Sequence, residues 1–169
     1  MKGKRNIIMK RMLSLVLCIY ATANVAVAQT IREMKMPELV QHYKKAKGIL
    51  VVNFWSTWCK PCIDEIPHFI SVANAMKADS VQLLLVSQDT KELYQTGALK
   101  KYLQQKGWKL PVVWLNETNA DYYCPLVDAT WSGAIPATII IRPSTGYYQF
   151  YEESLSAEAL HTAIKKALH

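Results

Sequence analysis

Residues Ile49–Trp55 (Ile-Leu-Val-Val-Asn-Phe-Trp) are apolar and rich in β-branched side chains, with Asn53 the one polar position. An uninterrupted run of this kind suits a strand covered on both faces, as inside a parallel sheet. Immediately beyond it stands Cys59-Lys60-Pro61-Cys62, and then Ile63, Ile66, Ile70, Ala73 and Met76 trace one face of a helix. A doubly covered strand that passes into an amphipathic helix calls for a layered α/β architecture.

The rest of the chain fits that frame. Met36, Leu39, Val40 and Tyr43 follow helical spacing, with Pro37 suited to a first turn and Gly48 to a stop, so residues 29–48 read as short and helical. Residues 81–86 form a second buried strand. Leu99, Tyr102 and Leu103 mark a helix ended by Gly107, and Val112–Leu115 a short strand. Ala120–Val127 is ambiguous, with room for a helical turn. Residues 137–141 and Tyr147–Tyr151 are strands joined by Pro143-Ser144-Thr145-Gly146, a hairpin signal. Ala157, Leu160, Ile164 and Leu168 complete a last amphipathic helix. The expected fold is a three-layer α/β domain, its sheet mostly parallel with an antiparallel edge. There are no internal repeats or low-complexity tracts, so residues 29–169 read as one domain.

Charge sharpens the picture. The whole chain is +7, from 20 basic and 13 acidic residues, which taken alone invites a polyanion partner. Five of the basic residues are Lys2, Lys4, Arg5, Lys10 and Arg11, and no acid precedes Glu33. Residues 12–28 carry no charge and end in Ala26-Val27-Ala28. A basic stretch, a short apolar stretch and an A-x-A pattern describe a secretory signal peptide over residues 1–28. Removing it leaves 15 basic residues against 13 acidic, or +2, and the case for nucleic acid goes with it. The alternative is an uncleaved anchor, for which 17 uncharged residues stand at the short limit of a membrane span. Leu17 before Cys18 is too bulky for the usual lipid-attachment motif. The location implied is extracytoplasmic or periplasmic, and membrane-anchored if the segment is retained.

Cys59, Cys62 and Cys124 then remain, too few for a disulfide framework and arranged as one close pair plus one leftover. Cysteines three apart at a helix start lie on neighbouring turns, within reach of a disulfide. The helix N-terminus offers unpaired N–H groups that stabilise a thiolate. Cys59 is thus expected to be the exposed nucleophile and Cys62, one turn inside, the resolving thiol. The same spacing serves zinc, for which His68 and Cys124 are the nearest further ligands, but no second cysteine pair exists. Cys124 reads as a buried or idle thiol, with a regulatory or resolving role as the alternative.

Asn53-Phe54-Trp55-Ser56-Thr57-Trp58-Cys59-Lys60-Pro61-Cys62 resembles the active-site signature of the thioredoxin superfamily. Its continuation Ile63-Asp64-Glu65-Ile66-Pro67 resembles the TlpA/ResA-like thiol–disulfide oxidoreductases, and Gly133-Ala134-Ile135-Pro136-Ala137-Thr138 resembles the same fold's cis-proline segment. The resemblance covers roughly residues 48–168. It implies a thioredoxin-like fold with a central mixed sheet flanked by helices, plus the inserted helix and strand of that branch. Pro136 would then be cis against the disulfide, leaving the Ile135 backbone free to pair with an extended substrate strand. Trp58, Lys60 and Pro61 would complete the substrate contacts, with Trp55 and Trp58 shaping the rim and the Lys60 cation favouring the thiolate.

Glu65 shares a helical face with Cys62. It reads either as a solvated acid near a helix N-terminus or, as the resemblance implies, as a partly buried carboxylate that moves protons for Cys62. Pro67 is assigned to a helix kink. Two features depart from the family. Asn53 stands where classical thioredoxins hold a buried aspartate, and residues 29–48 replace a longer β-rich start.

The activity implied is reduction of protein disulfides without a bound cofactor, because the dithiol itself carries two electrons. A membrane thiol reductase would restore it, and the protein would be a monomer. The rivals are an oxidase or isomerase running the chemistry in reverse, and a non-catalytic binding domain that keeps the fold. A peroxidase fits less well, since no P-x-x-x-T-x-x-C pattern leads to Cys59.

Overall fold

The computed structural model describes residues 30–169. The expected signal segment at 1–28, Cys18 included, lies outside the described residues. Six strands, β1 (Ile31–Met34), β2 (Ile49–Trp55), β3 (Val81–Ser87), β4 (Val112–Leu115), β5 (Ala137–Arg142) and β6 (Tyr147–Tyr151), form one sheet in the order β1-β4-β3-β2-β5-β6. The first four in that order are parallel, and β5 and β6 complete the sheet antiparallel. The helices are α1 (Met36–Lys44), α2 (Lys60–Ala75), α3 (Lys91–Gln95), α4 (Ala98–Lys106), α5 (Ala120–Val127) and α6 (Ala157–Leu168). This is the mixed, helix-flanked α/β sheet expected, with α3, α4 and β4 forming the additional segment between β3 and α5.

Side-chain alternation along β2 explains its unbroken apolar sequence. Ile49, Val51 and Trp55 point into a core shared with α2, α4 and α6, whereas Leu50, Val52 and Phe54 point into a second core shared with α1 and α5. Both faces are therefore dry, and each fully buried Ile or Leu there contributes on the order of 1.5–3 kcal/mol. Asn53 belongs to the first face, towards α2.

Two local readings are corrected. Residues 29–48 are not helical alone: β1 precedes α1 and pairs with β4, from Ile31 opposite Val112 to Met34 opposite Leu115. At four residues, half-buried at both ends, β1 is too short to show strand periodicity. The buried face of α2 is turned from the one expected, with Cys62, Glu65, Ile66, Phe69 and Val72 innermost and Ile63, Ile70 and Ala73 at its margin. Helix α2 runs continuously from Lys60 to Ala75 through Pro67, which lies on the exposed side. The short helix α3, capped by the Thr90 hydroxyl accepting from Leu93 N–H, has no buried residue and so no apolar stripe to reveal it.

Candidate active site

The parallel strands β2, β3 and β4 all run towards one end of the sheet, and Cys59 and Cys62 follow the carboxyl end of β2. After Trp55 the loop Ser56-Thr57-Trp58 must turn sharply into α2. Asp89, buried just past β3, holds that loop. Its carboxylate accepts from Thr57 N–H at 3.0 Å, from the Thr57 hydroxyl at 2.6 Å and from the Ser87 hydroxyl at 2.8 Å. The Trp114 indole donates to the Asp89 carbonyl at 2.7 Å, tying β4 to the same point.

Cys59 is the N-cap of α2, and its Sγ accepts the Cys62 N–H at 3.3 Å. The two cysteines form a disulfide with their Cα atoms 5.3 Å apart. On reduction that same N–H would face the Cys59 sulfur, adding to the helix dipole in favour of a thiolate. Cys59 is less exposed than expected, at 5 %, though it remains the outer member of the pair, since Cys62 is wholly buried. The Ile135 carbonyl oxygen, 3.7 Å from Cys59 Sγ, covers it. The Ile135–Pro136 peptide bond is cis, Pro136 is buried, and Ile135 lies half-buried just ahead of the β5 ladder, which begins at Ala137.

Glu65 is buried one turn beyond Cys62, on the same inner face of α2. Burial pushes its carboxyl up to about 7, against the downward pull of hydrogen bonds from Leu155 N–H and Asn53. Leu155 N–H donates to Oε2 at 2.9 Å and Asn53 Nδ2 to Oε1 at 2.8 Å. The solvated-acid reading of Glu65 therefore fails, because the buried face of the helix carries it inward.

Other expected residues sit elsewhere. Lys60, next to Cys59 in the chain, is exposed and pairs with Asp64 at 2.6 Å, one turn along α2. Pro61 is exposed in the first turn, and Trp58 is 67 % exposed beside the disulfide. Trp55 is not at the rim. It is fully buried, with its ring 5.5 Å from that of Trp108. Cys124 is a buried free thiol pushed up to about 11, chiefly by burial and further by the charges of Glu152 and Asp121. Among the described residues no group of three or more His, Cys, Asp or Glu could hold a metal ion.

Sequence reasoning missed Asp89, Glu152 and the backbone N–H of Leu155. Each acts through a long-range bond to the site, and no local pattern marks any of them. Only the polar Ser87-Gln88-Asp89 stretch directly after a buried strand offered a signal.

Residues 27–145 match the model of the AhpC/TSA family. Thiol-disulfide oxidoreductase ResA of Bacillus thuringiensis (strain Al Hakam) is 35% identical over 68 residues, a match covering 40% of this chain and 36% of that protein. The ResA of Geobacillus kaustophilus (strain HTA426) is 27% identical over 139 residues, covering 79% of this chain and 74% of that protein. Among solved structures, a thioredoxin-related protein from Neisseria meningitidis serogroup B superposes with a TM-score of 0.61 at 26% identity, over 72% of this chain and 86% of its own. The chain thus spans about a third of the first curated relatives it matches, and about three quarters of the Geobacillus protein. With the sheet, the cysteine pair and these likenesses together, the chain belongs to the AhpC/TSA family as a ResA-like protein of the thioredoxin fold.

Proposed function

We propose that this protein is an exported thiol–disulfide oxidoreductase that reduces disulfides of extracytoplasmic polypeptides. The observation that carries the reading is the Cys59–Cys62 pair at the start of α2, with the Ile135 carbonyl on one sulfur and the buried acid Glu65 one turn behind the other. In the reduced protein the Cys59 thiolate attacks one sulfur of a substrate disulfide. A mixed disulfide forms, and the first substrate sulfur leaves as a thiolate. Cys62 gives its proton towards the Glu65 carboxylate and attacks Cys59 Sγ, releasing the second substrate sulfur. The substrate gains two electrons and the protein ends as the disulfide. A dithiol donor, read as a membrane thiol reductase, returns two electrons to Cys59 and Cys62. No other cofactor takes part.

The basic and apolar residues of 1–28 support export, and the near-neutral charge of the remainder supports a polypeptide rather than a nucleic-acid partner.

Trapping with Cys62→Ser tests the reading. Without the resolving thiol the mixed disulfide to Cys59 should persist and carry the substrate through non-reducing electrophoresis to mass spectrometry. Absence of any adduct in the exported compartment would overturn polypeptide disulfides as the substrate class. Direction is read by equilibration with glutathione buffers. A potential near that of strong disulfide donors, about −120 mV, would overturn the reducing role.

A further inference from the structure

Glu152 looks like an ordinary acid in sequence, one of an adjacent pair just after β6. In the fold its carboxylate reaches back to the segment leading into Pro136. Oε1 accepts from Ser132 N–H at 3.0 Å, from Ala134 N–H at 3.1 Å and from the Ser132 hydroxyl. Between those two donors stands Gly133 at φ +94°, a left-handed conformation that turns the flanking N–H groups towards one point. The carboxylate occupies the anion-binding hollow so formed. Burial acts upward on its pKa, but the bonds from Ser132 and Ala134 outweigh it and hold the group below the usual carboxylate range.

The opposite side of the segment is also fixed, because the Trp131 indole donates to the Ala134 carbonyl at 2.9 Å. Trp131 is itself packed on Phe54 of β2, with ring centroids 4.6 Å apart. Ala134 is the neighbour of Ile135, whose carbonyl lies against Cys59 Sγ. The Glu152 carboxylate is therefore bonded two peptide units before the one that faces the disulfide, and the Trp131 indole holds the unit between them.

We infer that Glu152 is a positioning residue for polypeptide substrates, holding residues 132–135 so that the Ile135 backbone edge meets an extended chain beside Cys59. The inference rests on the thiol–disulfide exchange reading. It separates two classes of substrate. An extended polypeptide needs the Ile135 edge in register, whereas a small aromatic disulfide needs only access to the Cys59 sulfur.

Single-turnover kinetics of the pre-reduced protein test it, with insulin as polypeptide disulfide and 5,5′-dithiobis(2-nitrobenzoate) as small disulfide. Glu152→Gln keeps the size but removes the charge and turns one acceptor into a donor facing N–H groups. The half-saturating insulin concentration should rise about tenfold, the loss of one charge-assisted hydrogen bond. The plateau rate and the rate with the small disulfide should hold within about twofold. Ser132→Ala removes only the hydroxyl partner, and should shift half-saturation in the same direction by less. An unchanged half-saturation in Glu152→Gln, or an equal fall with both disulfides, would overturn the role of Glu152. Wild-type protein that reduces neither disulfide would overturn the exchange reading, and this inference with it.

Discussion

Asn53 and Glu65 are joined across the interface between β2 and α2, Asn53 Nδ2 donating to Glu65 Oε1 at 2.8 Å and also to Thr138 Oγ1 of β5 at 3.1 Å. Asn53 and Thr138 are register partners in the antiparallel ladder, so the sheet itself aims the amide at the acid. Asn53 Oδ1, on the other side of that amide, meets no donor among the described residues. An amide can serve both protonation states of Glu65. Its NH2 donates to the carboxylate, and after a half-turn its oxygen can accept from the carboxylic acid and from the Thr138 hydroxyl. A second carboxylate at position 53 would instead repel the ionised form of Glu65.

Glu65 should make stability fall as pH rises. Its folded-state pKa of about 7 lies above the ordinary 4.5, so between those values the unfolded chain has lost a proton that the folded protein keeps. Stability is therefore highest below the lower value, declines through the interval and levels off above pH 7. The span corresponds to about 3 kcal/mol. Urea unfolding of oxidised wild type at pH 4.5 and pH 8 should show this decline, and Glu65→Gln should flatten it. A Glu65→Gln variant with the same decline would place the titration elsewhere.

Asp89 should be among the costliest polar positions outside the cysteines. It is buried and accepts from Thr57 N–H, the Thr57 hydroxyl and the Ser87 hydroxyl. Asp89→Ala leaves those donors unpaired, for a loss of about 2–4 kcal/mol. Because Thr57 lies two residues before Cys59, the exchange rate per folded molecule should fall as well. Denaturant midpoints and rates measured on the same samples check both effects.

Trp58 should contribute to substrate and not to stability. It is 67 % exposed, and replacement by Ala should move the unfolding free energy by less than about 0.5 kcal/mol. Loss of an aromatic contact beside the disulfide should slow reduction of insulin by about fivefold. A large loss of stability would reassign Trp58 to the core.

Gly48 should tolerate no side chain. Its φ is +80°, and a Cβ there would stand 2.4 Å from the Ser80 carbonyl oxygen, which already accepts the Ile49 N–H. Gly48→Ala should cost more than about 2 kcal/mol, the left-handed strain plus displacement of backbone. Position 48 precedes β2 at the edge of the sheet remote from Cys59, so exchange by the folded fraction should be unaffected. Calorimetry together with activity normalised to folded protein checks this.

Elements whose signal is local were legible in the sequence. The runs at Ile49–Trp55, Val112–Leu115 and Tyr147–Tyr151 and the amphipathic pattern at Ala157–Leu168 coincide with β2, β4, β6 and α6. Their residues carry the required alternation, uniform burial or helical spacing within a few positions. The strand β1 and the helix α3 were hidden because neither buries enough surface to leave a period.

The Cys-Lys-Pro-Cys pair and its place at a helix start followed from sequence alone, because the helix N-terminus and the three-residue spacing are local properties. What surrounds the sulfurs did not. The Ile135 carbonyl reaches Cys59 from 76 residues away, Leu155 N–H reaches Glu65 from 90, and Glu152 grips Ser132 from 20. Each contact exists because β5, β6 and their loops pack against β2 and α2. Chain order carries no record of such meetings. Tertiary structure alone decided that Cys59 is covered and that Glu65 is held as a buried acid. Hydrogen bonds and desolvation depend on what is near in space, whereas spacing in sequence reports only what is near along the chain.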